Sequence, residues 1–136
     1  MVLDDIHTVL PTTDVLVAAL ALTPETRHVI GARELAALPN DAVVVNVARG
    51  AVIDTEALVT ALRGGEIAAA GLDVTDPEPL GDGHPLWSMD NVFISSHCAD
   101  SLEFVTQKLI ERVQDNLRRF GRDEELVGQV DWTAGY

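Results

Sequence analysis

The sequence predicts an α/β fold: an open sheet of about four parallel strands with helices on both faces. Three observations lead there. Four short continuous runs, residues 14–20, 42–47, 68–74 and 91–96, are rich in Val, Ile and Ala. Runs of this length without alternation read as strands buried on both faces. Helical patterns lie between them, and strands alternating with helices pair in parallel through right-handed crossovers. Finally, 136 residues with 47% hydrophobic content suffice for one domain with a real core. Aromatic residues are only 4%, so Val, Ala, Leu and Ile must build that core.

The elements follow in order. Residues 14–20 form the first strand. Residues 32–38 form a short helix, stopped at Pro39. Residues 42–47 form the second strand. The helix over 55–62 is well marked: Asp54 is a good N-cap, Glu56 suits the positive end of the helix dipole, and Gly64–Gly65 ends it. Residues 68–74 form the third strand. Residues 76–85 hold three of the six prolines and two of the ten glycines, which makes this stretch a loop or a hinge. Residues 91–96 form the fourth strand. A long helix over 102–120 follows, with Leu102, Val105, Leu109, Val113 and Leu117 on one face. The remainder, 122–136, is a polar tail anchored by Leu126, Val127, Val130 and Trp132.

Composition excludes several classes. A net charge of -13 argues against nucleic acid and anionic membrane surfaces, because phosphate binding needs a basic face. No apolar stretch approaches the ~20 residues that span a bilayer. The N-terminus MVLDDIHTVL has no signal-peptide pattern, so the cytoplasm is the expected compartment. Cys98 is the single cysteine, has no internal disulfide partner and reads as a small buried thiol. No histidine pair has metal-ligand spacing, and no metal is expected. His7, His28 and His84 read as surface residues.

In open α/β sheets ligands bind beyond the carboxyl ends of the strands. The loops there carry Thr23, Arg49, Glu78 and His97. Arg49 is either a structural loop arginine or a two-pronged clamp for a carboxylate. His97 is either structural or a general acid and base, since imidazole ionises near neutral pH. Glu78 sharpens the second reading, because a carboxylate paired with His97 would fix its tautomer and orientation. Asp73 is either a polar group facing a cofactor or a strand-end cap.

Three segments then carry a family resemblance: TDVLVAALALTPETRHVIG, LPNDAVVVNVARGAVIDTEALVTALRGGEIAAAGLDVTDPEPL and HPLWSMDNVFISSHCADS. Over residues 12–101 the chain resembles the C-terminal part of the NAD-binding domain of the D-isomer-specific 2-hydroxyacid dehydrogenases. That family includes phosphoglycerate dehydrogenase, formate dehydrogenase and glyoxylate/hydroxypyruvate reductases. The ending VDWTAGY resembles the C-terminus of many members. The resemblance implies the second half of a Rossmann-like doubly wound sheet, and hydride transfer between NAD or NADP and C2 of a small 2-hydroxy or 2-oxo acid. It implies that Arg49 binds the substrate carboxylate, that His97 gives or takes the hydroxyl proton, and that Glu78 is its partner. Asp73 would meet the nicotinamide carboxamide. Val47, Ala48 and Arg49 would border the nicotinamide ribose and ring. Leu20 and Ala21 would pass the adenine side, and Cys98 and Ala99 would close over the nicotinamide beside His97.

The sequence departs from the family pattern in places. Ala21 and Ser96 stand where proline is usual, and Cys98, Ala99 and Asp100 replace a small, often glycine-containing stretch. These changes bear on loop geometry more than on chemistry. No G-x-G-x-x-G occurs in the chain. In the family that motif, and the residue choosing NAD or NADP, lie upstream. The expected organisation is therefore a partial NAD(P)-binding domain over 1–121 with a tail over 122–136, within a homo-oligomer such as a dimer. Residues 14–20 would form an exposed sheet edge, covered by a partner chain or by the rest of a longer protein. A cofactor-sensing corepressor-like module and a dimerisation domain are the alternative readings.

Overall fold

The computed structural model describes residues 6–133. The first five residues of the chain and the last three of the VDWTAGY ending lie outside the described residues. The described part divides into two compact units, one running to His97 and one starting at Cys98.

The first unit opens with a short helix, α1 (Ile6–Val9), and a 3-10 turn. Then come β1 (Val15–Ala18), α2 (Ala32–Ala36), β2 (Val43–Asn46), α3 (Thr55–Gly64), β3 (Ala69–Leu72) and β4 (Val92–Ile94). The strands form one sheet in the order β1-β2-β3-β4, and every pair is parallel. Each strand is shorter by one or two residues at either end than its apolar run. Ala18, Asn46, Leu72 and Ile94 lie in register at the carboxyl edge. The sheet therefore delivers all four following loops to one side.

Burial alternates along the strands. Ala18, Val44, Asn46, Ala70 and Leu72 are buried, and the apolar members of that set share a core cluster with Leu35 of α2 and Leu58, Val59 and Leu62 of α3. The opposite face shows Val15 and Val17 exposed on edge strand β1 and Phe93 exposed on β4. Continuous apolar runs therefore do not mean burial on both faces within this unit. Apolar composition alone does not distinguish the two sides of a strand.

Helix α3 ends where its capping residues dictate. Asp54 Oδ1 accepts a hydrogen bond from the Ala57 amide at 3.0 Å, and Gly65 adopts a left-handed conformation with φ of 67°. Glycine takes that conformation without steric cost. Replacing Asp54 with alanine leaves the Ala57 amide unpaired and is expected to cost about 1 kcal/mol of stability. Urea unfolding should show a lower midpoint with an unchanged slope. An unchanged midpoint would remove the cap from the account.

The second unit consists of α4 (Leu102–Phe120) and the tail. The tail falls in the same compact unit as α4, whose side chains hold it. Asn116 bonds Val127 through both ends of its amide, at 3.0 and 2.9 Å, and Arg119 donates to the Glu125 carbonyl. Ser101 Oγ caps the helix by accepting from the Phe104 amide. Arg119 also donates to Asp115, and this hydrogen bond holds the Asp115 carboxyl below the ordinary carboxylate range. The apolar residues Leu102, Leu109 and Leu117 of α4 are exposed. No helix among the described residues is long and apolar enough to cross a membrane.

Candidate active site

The loop after β3 and the segment after β4 meet. His97 Nδ1 lies 2.8 Å from Glu78 Oε1. His97 sits at φ of 54°, in the left-handed region. Glu78 belongs to an irregular stretch with cis peptide bonds at Asp76-Pro77 and Glu78-Pro79. That stretch is tied at several points. Thr75 Oγ1 donates to the Pro77 carbonyl, Thr55 Oγ1 of α3 donates to the Asp76 carbonyl, and Trp87 Nε1 donates to the Gly81 carbonyl. The prolines thus lie in a loop braced by hydrogen bonds.

A cavity of about 280 Å³ opens beside the pair. Asp73, Glu78, Ser95 and His97 line its polar side, and Leu80, Trp87 and Ile94 its apolar side. Asp73 is buried, and its Oδ1 accepts a 2.6 Å hydrogen bond from Ser95 Oγ. Its amide donates to the Asn46 carbonyl at 2.9 Å. A carboxylate held there can accept from an amide or hydroxyl that enters the cavity.

Arg49 follows β2 at the same sheet edge but does not line this cavity. Its side chain is exposed, and Nη1 donates to the Ala48 carbonyl at 2.7 Å. Ala48 is buried, whereas Val47 is exposed. Leu20 and Ala21 follow β1, where Thr26 Oγ1 donates to the Ala21 carbonyl and folds the loop back on itself. Cys98 and Ala99 begin the second unit. Cys98 is exposed and not a buried thiol, since it lies in an irregular segment outside the core cluster. His28 lies near Asp76, His7 near Glu34, and the His84 ring accepts from the Leu86 amide.

Two residues of this edge stand out only in the structure. Ser95 reads in sequence as the end of an apolar run. Asn46 reads as a polar interruption in one, yet its side chain bridges Ala48 and Arg49. An Asn two residues before a turn is itself a signal for such a bridge.

The model of the "D-isomer specific 2-hydroxyacid dehydrogenase, NAD binding domain" matches residues 1–99. A glyoxylate reductase of Aeropyrum pernix is 44% identical over 109 residues, covering 80% of this chain and 32% of that protein. The crystal structure of a D-isomer specific 2-hydroxyacid dehydrogenase from Xanthobacter autotrophicus Py2, in complex with NADPH and MES, superposes with a TM-score of 0.88 at 42% identity. That match covers 98% of this chain and 54% of the other. An NADPH-dependent glyoxylate/hydroxypyruvate reductase from Sinorhizobium meliloti, in complex with NADP and sulfate, gives 0.86 at 32% identity, covering 98% and 43%. The chain spans 32–40% of the length of the curated relatives it matches. The fold is the expected Rossmann-like parallel sheet, and the chain belongs to the D-isomer specific 2-hydroxyacid dehydrogenase family.

Proposed function

We propose that the protein carrying this chain interconverts 2-oxo and 2-hydroxy acids with NAD or NADP. The observation that carries this reading is the 2.8 Å contact between His97 Nδ1 and Glu78 Oε1 at the mouth of a cavity that also holds Asp73. A carboxylate on Nδ1 directs a proton to that nitrogen and leaves Nε2 as the atom that exchanges a proton with the substrate oxygen. Arg49 supplies the fixed positive charge at this edge, and a guanidinium holds a carboxylate through two parallel hydrogen bonds. A substrate carboxylate is a stronger acceptor than the neutral Ala48 carbonyl on which the guanidinium now rests.

The nicotinamide end of the cofactor fits the residues present. Asp73 is a buried, oriented acceptor suited to a carboxamide, and the Leu20–Ala21 and Val47–Ala48 loops border the same edge. When bound, the cofactor supplies or accepts the hydride. Its pyrophosphate calls for a glycine-rich turn at a helix N-terminus, and the 136 residues contain no G-x-G-x-x-G.

Two measurements test this. The full gene product should oxidise NADH or NADPH in the presence of glyoxylate or hydroxypyruvate. Failure with every small 2-oxo acid and both cofactors would end the proposal. Residues 1–136 alone should bind NADH more weakly than about 100 µM in a fluorescence titration. Micromolar binding would overturn the view that the pyrophosphate site lies outside these residues.

A further inference from the structure

We infer that Asn46 is a positioning residue for Arg49, and that the reach of Arg49 toward a substrate carboxylate depends on it. This rests on the reading of Arg49 given above. Asn46 ends β2, and at 1% exposure it is the most buried polar residue among the described residues. An amide at such depth is strongly destabilising unless both of its ends are paired. Here both are. Oδ1 accepts from the Ala48 amide at 3.0 Å, and Nδ2 donates to the Arg49 carbonyl at 3.0 Å.

The two bonds point one way. Both go to the main chain of the turn that presents Arg49, and none goes to a neighbouring core side chain. A valine at this position would pack into the core and extend the strand pattern, but it could not span the turn. The Arg49 carbonyl takes a second hydrogen bond from the Val52 amide at 3.1 Å. The Asn46 carbonyl accepts from the Asp73 amide, so the brace is anchored in the sheet. The peptide of Arg49 is therefore fixed, while its guanidinium remains exposed on a weak acceptor. A long side chain aims reliably only from a fixed root, and displacement of a reacting or binding group by about 1 Å costs on the order of 10²-fold.

The test is a double-mutant cycle of Asn46→Ala and Arg49→Ala in the full gene product, read by steady-state reduction of glyoxylate. Asn46→Ala is expected to raise KM for the 2-oxo acid about 10-fold or more and to move KM for the cofactor less than about twofold. In the Arg49→Ala background the same change should add little, because a residue acting through Arg49 has nothing left to position. A purely structural role would give additive losses, or would raise both KM values together, and either result overturns the inference. If Asn46→Ala does not fold, the cycle is run with Asn46→Ser. A buried carboxylate there would face the Arg49 carbonyl and add a charge penalty of its own. A neutral side chain too short to span both the Ala48 amide and the Arg49 carbonyl is therefore used, and the same outcomes apply. A wild-type protein without reductase activity would defeat the proposed function itself, and this inference with it. An active wild type with an additive cycle would defeat this inference alone.

Discussion

Replacing His97 with asparagine is expected to lower the rate of 2-oxo acid reduction about 10²–10⁴-fold, while cofactor binding stays within about twofold. The choice of asparagine follows from the backbone. His97 sits at φ of 54°, and asparagine is among the few residues that tolerate the left-handed region. The variant should therefore fold normally and lose only the group proposed to transfer the proton. Product release limits turnover in many enzymes, so a single-turnover measurement of the chemical step is the decisive readout. An unchanged single-turnover rate would remove His97 from the mechanism. Glu78→Gln should act in the same direction with a smaller loss, because glutamine keeps an oxygen within reach of Nδ1. Both side chains of the pair are nearly half exposed, at 47% and 42%. Exposed ion pairs contribute about 0–1 kcal/mol, so the contact matters for orientation rather than for stability.

Gly50→Ala is the other change with a large expected effect. A Cβ at Gly50 would fall on the carbonyl of Thr75 and within 2.6 Å of the Asp76 nitrogen. Both obstacles are main chain, so no side-chain rotation relieves them. The turn that carries Arg49 and the loop that leads to Glu78 would have to move apart. Overpacking in a tight site costs about 1–3 kcal/mol, and relief through backbone alone puts this case near the upper value. Under the proposed function activity should fall with stability, since both loops lie at the same carboxyl edge of the sheet. Gly65→Ala is the useful comparison. Its φ of 67° strains an L-residue, but no atom stands within 4 Å, so the expected cost is only about 1–2 kcal/mol. Chemical denaturation of the two variants gives the ranking. A Gly50→Ala protein no less stable than Gly65→Ala would show that the two loops are not in tight contact.

Much of the first unit was legible in the sequence because its signals are local. The strands announce themselves as β-branched runs, and α3 is bounded by Asp54 and Gly65, whose capping roles depend on their own backbone. The meeting of Glu78 and His97 was legible for a different reason. Parallel strands deliver successive loops to one edge, so two residues 19 positions apart arrive together. The pose of the Arg49 side chain was not legible, because an exposed guanidinium takes whichever acceptor is nearest. The Ser95–Asp73 bond joins positions 22 apart in adjacent loops, and no sequence spacing encodes it. The exposure of Val15, Val17 and Phe93 was equally hidden, since it depends on what packs over a face.

The consecutive order of the strands also bears on how the sheet is made. Val15 pairs with Val43, Val43 with Ala69, and Ala70 with Val92, so each closure spans roughly 22–28 residues. Loop-closure costs over that range differ by only about 0.2 kcal/mol. Among the four described strands none waits for a distant partner, and none must be inserted between two already paired. Each new strand finds its template already synthesised, and the sheet can grow in the order in which the chain leaves the ribosome.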